Sequence, residues 1–309
     1  TPTRLIVVFL GSAAVLGAVY ARRWISQPDG LQQQQGPGAR PEAAAYADPG
    51  ACALCHGEIA RTYSQTGMAR SFARLQPDAR LADFTLRNSL HHVASDRHYT
   101  MVQRGGKFYQ RRHEVGFGGK ETNAVEFEAN YVIGSGNHAR TFLHRKADGR
   151  LLEMPVSWYV ERGGYWAMSP GYDRPAHLDF RRLIAQDCMS CHNGYPRGTV
   201  RDDGNGPKFA EPLPEGIDCQ RCHGPGQAHI DAIETGDLEA SRRAIVDPGK
   251  LDRERQLETC MQCHLETTSS PLPFQIRRYE QRPFSYTPGR SLGDYFIHFD
   301  HAPGTGRED

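Results

Sequence analysis

The chain has 309 residues, 38% of them hydrophobic, with a mean hydropathy of −0.62; that is a thin supply of apolar side chains for a core of this size. A formal net charge of +1 excludes the strongly basic character of a nucleic-acid binder and gives no electrostatic case for an anionic membrane surface. Its 32 Gly and 20 Pro exclude long helices through most of the chain.

Residues 5–20 form the one apolar run of membrane type, followed by Arg22, Arg23 and Trp24. Two readings fit. A signal peptide would be cleaved near Val19-Tyr20-Ala21. A single transmembrane helix would extend to Ile25, close to the ~20 residues a span requires, with the arginines snorkelling and Trp24 at the interface. The sequence favours the second, so residues 1–25 are expected to be a membrane anchor. Residues 26–48, with Gln32 to Gln35 and Gly36-Pro37-Gly38, lack a periodic apolar face and read as a flexible linker.

Residues 49–83 contain a Cys-x-x-Cys-His motif and one expected helix. Residues 84–168 change character: alternation predicts strands over 125–132, 141–145 and 151–156, with turns at Asp148-Gly149 and Gly163-Gly164. This stretch is expected to be a small β-rich insert. Residues 169–309 hold three more Cys-x-x-Cys-His motifs in a loop-rich region, with short helices predicted over 178–187 and 252–261.

The motifs are Cys52-Ala53-Leu54-Cys55-His56, Cys188-Met189-Ser190-Cys191-His192, Cys219-Gln220-Arg221-Cys222-His223 and Cys260-Met261-Gln262-Cys263-His264. They use all 8 cysteines, so none is left for a separate disulfide. Two thiols three residues apart reach the two vinyl groups of one haem, and the next residue sets its imidazole under the iron. Paired Cys-x-x-Cys motifs also build Cys₄ zinc sites, but zinc does not require His directly after each pair. Four c-type haems are therefore the expected cofactors, with His56, His192, His223 and His264 as proximal iron ligands. Attachment of this kind puts the chain on the periplasmic or outer face of a membrane. Arg outnumbers Lys by 32 to 5. Either genome composition accounts for that, or guanidinium forks bind haem propionates.

The chain resembles the bacterial multihaem c-type cytochromes and is similar to the tetrahaem cytochrome c family associated with ammonia oxidation. The resemblance covers roughly residues 50–301. It rests on the first motif with Thr66-Gly67-Met68-Ala69-Arg70-Ser71, on Tyr131-Val132-Ile133-Gly134-Ser135-Gly136, and on the third motif with Gly224-Pro225-Gly226. It implies electron transfer and a mostly irregular and α-helical multihaem fold. Met68 stands where relatives often carry a ligating His; it is a candidate iron ligand that would raise the potential, the alternative being a side chain that only packs.

Ten histidines remain beyond the proximal four: His91, His92, His98, His113, His138, His144, His177, His229, His298 and His301. They suffice for bis-His ligation of every iron. His229, just past the Gly-Pro-Gly turn, is the leading distal candidate. His138 follows Gly-Ser-Gly, where the chain can approach a macrocycle closely, and His301 closes a terminal His-x-x-His pair. Tyr131, Trp158, Trp166 and Tyr172 suit either haem faces or ordinary core.

Gaps of 136, 31 and 41 residues separate the proximal histidines, so the last three haems are expected to cluster, with the first brought back by the β-rich insert. Two functions fit. One is an electron carrier between redox proteins in or at the membrane, alone or within a larger complex or filament. The other is a reductase or oxidase of a small nitrogen or sulfur compound with one open haem. All four motifs have the ordinary form, which favours the carrier.

Overall fold

A computed structural model describes residues 46–77, 81–196, 200–265 and 275–299. The expected anchor over 1–25, nearly all of the linker and His301 lie outside the described residues.

Two antiparallel sheets fill the middle of the chain. Strands β2 (Ser89–His92), β3 (Arg97–Arg104), β4 (Lys107–Val115) and β5 (Glu121–Ala129) form a four-stranded meander in sequence order. Strands β1 (Phe72–Arg74), β6 (Tyr131–Ile133), β7 (Ala139–Arg145), β8 (Leu151–Tyr159) and β9 (Tyr165–Met168) form a five-stranded sheet in the order β1-β6-β7-β8-β9. Period-2 alternation explains how they pack. Tyr99 and Met101 of β3 and Phe108 of β4 are buried against Phe142, Val156 and Trp166 of the larger sheet. Phe84 sits among them, its ring centre 4.9 Å from Phe108, 5.4 Å from Phe142 and 5.0 Å from Trp166.

The larger sheet is covered on its other face too. Alternate residues Phe72, Tyr131, Leu143 and Leu151 point away from the sandwich and pack with Ile184, Met189, Tyr195, Phe209, Leu213 and Phe284. Strand β8 is consequently buried at every position from Leu151 to Trp158, the mark of a strand enclosed on both sides. Three layers result: the small sheet, the large sheet, and a loop-and-helix layer that carries the cysteine motifs.

This corrects the expected fold. Among the described residues, 28% are strand and 26% helical, in 13 strands and seven α-helices. The protein is a β-rich fold rather than a mostly irregular and α-helical one with a small β insert. The sheet recruits Phe72–Arg74 from the first motif segment, paired with Tyr131–Ile133, so it is the scaffold itself. No helix among the described residues is long and apolar enough to cross a membrane, and the transmembrane helix expected in the fold falls outside them.

The strands predicted over 141–145 and 151–156 and both turns are present, extended in β7 and β8, whereas 125–132 is broken at Asn130 into the end of β5 and the start of β6, which lie in different sheets. The helix predicted over 178–187 is not. Ile184 N–H donates to Leu151 O at 2.9 Å and Glu153 N–H to Arg182 O at 2.9 Å. Segment 182–184 therefore continues the ladder along the part of β8 that β9 does not reach, and only Gln186–His192 is helical. The helix predicted over 252–261 is present as Arg253–Met261, capped by Asp252 accepting from Arg255 N–H at 2.9 Å. Trp158, Trp166 and Tyr172 lie between the two sheets, so they are core residues and not linings of a cofactor face. Much of the arginine excess is spent inside the β unit: Arg112 pairs with Asp179 at 2.7 Å, Arg97 with Glu114 at 3.3 Å, and Arg104 with Glu126.

Two buried polar groups give tests of this core. Gln110 is fully buried; its Nε2 donates to Val156 O at 2.6 Å and its Oε1 accepts from Val156 N–H at 3.3 Å, tying β4 to β8. Gln110→Leu adds apolar contact but strands two main-chain groups, so chemical denaturation should show a loss of about 2 kcal/mol. A stability equal to wild type would mean that the bridge contributes nothing. Glu153 on β8 is buried beside Arg182, at 3.0 Å. Burial raises its carboxyl from 4.5 to about 7, against the pull of Arg182. A raised carboxyl favours the folded state fully below about pH 4.5, and that contribution disappears as pH rises through about 7. Across this window the wild type should lose about 3 kcal/mol relative to Glu153→Gln, read from denaturation midpoints at several pH values.

Candidate functional site

Each Cys-x-x-Cys-His motif lies on or at the end of a short helix. Helix α1 (Ala51–Cys55) carries the first and α3 (Gln186–His192) the second. Helix α4 (Gln220–His223) carries most of the third, and α7 (Arg253–Met261) leads into the fourth. Helix α2 (Gly57–Tyr63) follows the first motif, and α5 (Gln227–Glu234) and α6 (Leu238–Arg243) follow the third. One helical turn sets both thiols of a motif on the same side. The histidine then closes the turn: His56 N–H donates to Cys52 O at 2.9 Å, His223 N–H to Cys219 O at 2.9 Å, and His264 N–H to Cys260 O at 3.0 Å.

The four motifs meet. The Cys52 and Cys219 thiols lie side by side: their interaction, helped by burial, raises Cys52, and the same interaction lowers Cys219 to about 6 against the opposing effect of burial. Cys191 and Cys263 make the same contact, with the same rise at Cys191 and fall at Cys263. Cys222, pushed up to about 11 mainly by burial, also feels Cys260 and Cys263. The first motif thus adjoins the third, the second adjoins the fourth, and the third and fourth touch. The first motif is therefore folded back onto the last three, and the four motifs form one cluster. No disulfide joins any of the eight cysteines.

The residues between the cysteines lock this arrangement, a role that reading the motifs as signatures alone misses. Gln220 Oε1 accepts from Ala47 N–H at 2.9 Å and Gly226 N–H at 3.1 Å, while its Nε2 donates to Ala47 O at 3.0 Å. Arg221 Nη2 donates to Ser190 O at 2.6 Å in the second motif. Gln262 Nε2 in the fourth donates to Arg221 O at 3.0 Å. All three side chains are buried. The Arg221 guanidinium is held between Tyr195 and Phe284, 4.8 and 5.1 Å from their ring centres, and its Nε and Nη1 have no protein partner. The available signal was polar side chains at inner motif positions, where solvation would have served as well.

Other segments converge on the same place. Ser71 Oγ donates to His192 O at 2.7 Å, Tyr63 Oη to Ile217 O at 2.8 Å, and Ile217 N–H to Met68 O at 3.0 Å. Gly216 lies so close to Ala69 that a Cβ would stand 2.0 Å from its carbonyl oxygen. An open cleft of about 460 Å³ between these segments is lined by Tyr63, Ala69, Leu213, Ile217 and Cys219.

Two observations test whether the residues fit covalently held haem. First, apolar side chains beside the motifs are left in the open: Leu54 is 86% and Ile59 65% exposed, and neither α1 nor α2 buries a residue. Second, the rings of His56 and His229 are nearly parallel, at 22°, with centres 6.4 Å apart. Two imidazoles bonded to one iron at about 2.0 Å each have ring centres roughly 6.3 Å apart. His229 Nδ1–H donates to Ser241 O at 3.0 Å, next to Ser241 Oγ at 2.8 Å, which leaves Nε2 available. His223 is oriented likewise, Nδ1–H donating to Val246 O at 2.9 Å. The donor set fits.

The remaining candidates fare differently. His138 is exposed in the β6–β7 loop. The glycines before it serve the chain's own turn, because a Cβ on Gly134, at φ +100°, would stand 2.7 Å from Ala139 O. Met68 is 43% exposed and is anchored through its carbonyl rather than its thioether. His92 and His177 are buried polar residues of the small sheet's flank, hydrogen-bonded to Ser95, Asp173, Tyr99 and Asp179.

No protein-family model, curated protein or solved structure matches the chain. The functional reading therefore stands on the site alone.

Gln220→Leu would leave three main-chain groups, two of Ala47 and one of Gly226, buried without partners. The expected cost is about 2–4 kcal/mol, with faster proteolytic cleavage just ahead of Cys52. Unchanged stability and cleavage would refute the lock.

Proposed function

We propose that the chain is a tetrahaem c-type cytochrome that relays electrons between redox proteins on the exported side of a membrane. The observation that carries the proposal is the convergence of all four Cys-x-x-Cys-His motifs: Cys52 lies beside Cys219, Cys191 beside Cys263, and Gln262 of the fourth motif bonds Arg221 of the third. When bound, haem supplies reversible one-electron chemistry. The chain supplies the rest. Paired thiols on one helical turn fix each attachment point, and His56, His192, His223 and His264 offer proximal nitrogens. His229, aimed by Ser241, offers an opposing nitrogen across from His56.

The lock made by Gln220, Arg221 and Gln262 holds the four attachment points at fixed separations, which a relay requires. Saturating an iron with two imidazoles removes the open position that inner-sphere substrate chemistry needs, and the His56–His229 pair supports that for the first motif. The buried Arg221 guanidinium sets a positive charge at the centre of the cluster, where it favours the electron-rich state of whatever is bound around it.

The pyridine haemochrome assay should give four c-type haems per chain, retained after denaturation. Low-temperature EPR of the oxidised protein should be low-spin at the first haem, and His229→Ala should make that one haem high-spin without changing haem content. Zinc in place of iron would overturn the proposal. Rapid carbon monoxide binding together with turnover of nitrite or hydroxylamine would replace the carrier with a reductase.

A further inference from the structure

The four-stranded sheet bears a second group of metal-type side chains, distinct from the cysteine motifs. In the antiparallel register His91 of β2 stands opposite His98 of β3, which stands opposite His113 of β4. Residues paired this way share a face, so the three imidazoles form a row. The rings of His91 and His98 are 4.1 Å apart at 4°, and those of His98 and His113 are 5.1 Å apart at 15°.

A carboxylate closes one end of the row. The 3-10 turn Val93–Ser95 ends at Asp96, which takes the left-handed conformation (φ +50°). This brings the Asp96 carboxylate back over the strand, with Oδ1 3.0 Å from His91 Nε2. One ligand atom from each of His91, Asp96 and His98 lies within 4.8 Å of the other two. At the other end, His113 is engaged by Arg111, 3.2 Å from its Nδ1, and by Glu121, 3.5 Å from its Nε2. Arg111 is itself paired with Glu121. The neighbouring Arg97 is ion-paired to Glu114. The positive charges near the row therefore have partners of their own, and the His91 end is the one open to a cation.

We propose that His91, Asp96 and His98 form a binding site for a divalent transition-metal ion of the zinc type. Two imidazoles and a carboxylate suit a borderline ion, which favours nitrogen and oxygen ligands over the all-oxygen sets of Mg²⁺ and Ca²⁺. Tetrahedral ligands at about 2.0–2.1 Å stand roughly 3.3 Å apart. The His91–Asp96 separation of 3.0 Å is close to that, and the His98 ligand atom lies within 4.8 Å of both. Three protein ligands leave the fourth position to water. His91 and Asp96 are exposed and His98 is half-buried, so the ion has free access and the site needs no change in the core. It is also unsuited to haem, because rings 4.1 Å apart leave no room for a macrocycle between them.

The test is calorimetric titration of Zn²⁺ into the untagged full-length protein with its haems in place, alongside Asp96→Asn and His98→Ala. Asn tolerates the left-handed backbone at position 96, and position 98 lies outside the buried core, so both variants should fold. We expect about one Zn²⁺ per chain, with affinity reduced roughly tenfold or more in each variant, and no heat with Mg²⁺. No saturable Zn²⁺ binding would overturn the proposal, as would equal affinity in His98→Ala. Loss in His98→Ala with none in Asp96→Asn would overturn the three-ligand site. The comparison with His98→Ala and Asp96→Asn isolates this site, because neither substitution touches the cysteine motifs; Zn²⁺ bound equally by all three proteins would belong to those motifs and would count against the haem reading instead.

Discussion

Strand β8 is the member on which the layers depend. Enclosure on both faces obliges every side chain from Leu151 to Trp158 to satisfy a neighbour on one side or the other. Met154, Val156 and Trp158 meet the small sheet, while Leu151 meets the layer that carries the cysteine motifs. A change in the register of β8 would exchange these two sets. The sandwich core and the foundation under the motifs are therefore fixed together.

Above that foundation the energetic balance changes. The motif layer buries few large apolar side chains among its own helices and relies on directed hydrogen bonds from Gln220, Arg221, Gln262 and Ser71. Such bonds contribute little individually, but leaving one partner unmet in a buried place is costly. They specify geometry more than they add stability. That suits a layer whose apolar surface would be completed by attached groups, and it accounts for a chain with a mean hydropathy of −0.62 that still builds two well-packed sheets.

What the sequence revealed follows from the range of each signal. The Cys-x-x-Cys-His motifs are local and were legible at once. So were the turns at Asp148-Gly149 and Gly163-Gly164 and the helix capped by Asp252, because caps and turns are decided within a few residues. The weight of the β structure was not legible. Phe72–Arg74 is too short to display alternation and is a strand only because Tyr131–Ile133 lies beside it. Segment 178–187 carries apolar residues at helical spacing, yet a vacant ladder along β8 draws part of it into extended form. Within the site, the motifs themselves were legible, while the placement of His229 with its ring centre 6.4 Å from that of His56 is set by the fold. The lock was not, because what distinguishes Gln220 from any other surface glutamine is Ala47, 173 residues away.

That separation bears on how the molecule assembles. Contacts between residues far apart in sequence are slow to form, since the chain must surrender loop-closure entropy before any contact repays it. Most of the two sheets grows by hairpins between neighbouring strands, β1 on β6 being the long-range exception. The first motif is delayed: it leaves the ribosome early and gains its neighbours only after the third has been made. Through that interval the first motif lacks the third-motif neighbour that Cys52 has in the folded chain, and the five-residue helix that carries it buries no residue of its own. Of the first pair of thiols only Cys52 is partly covered when the cluster forms, and Cys55 stays exposed in the folded chain.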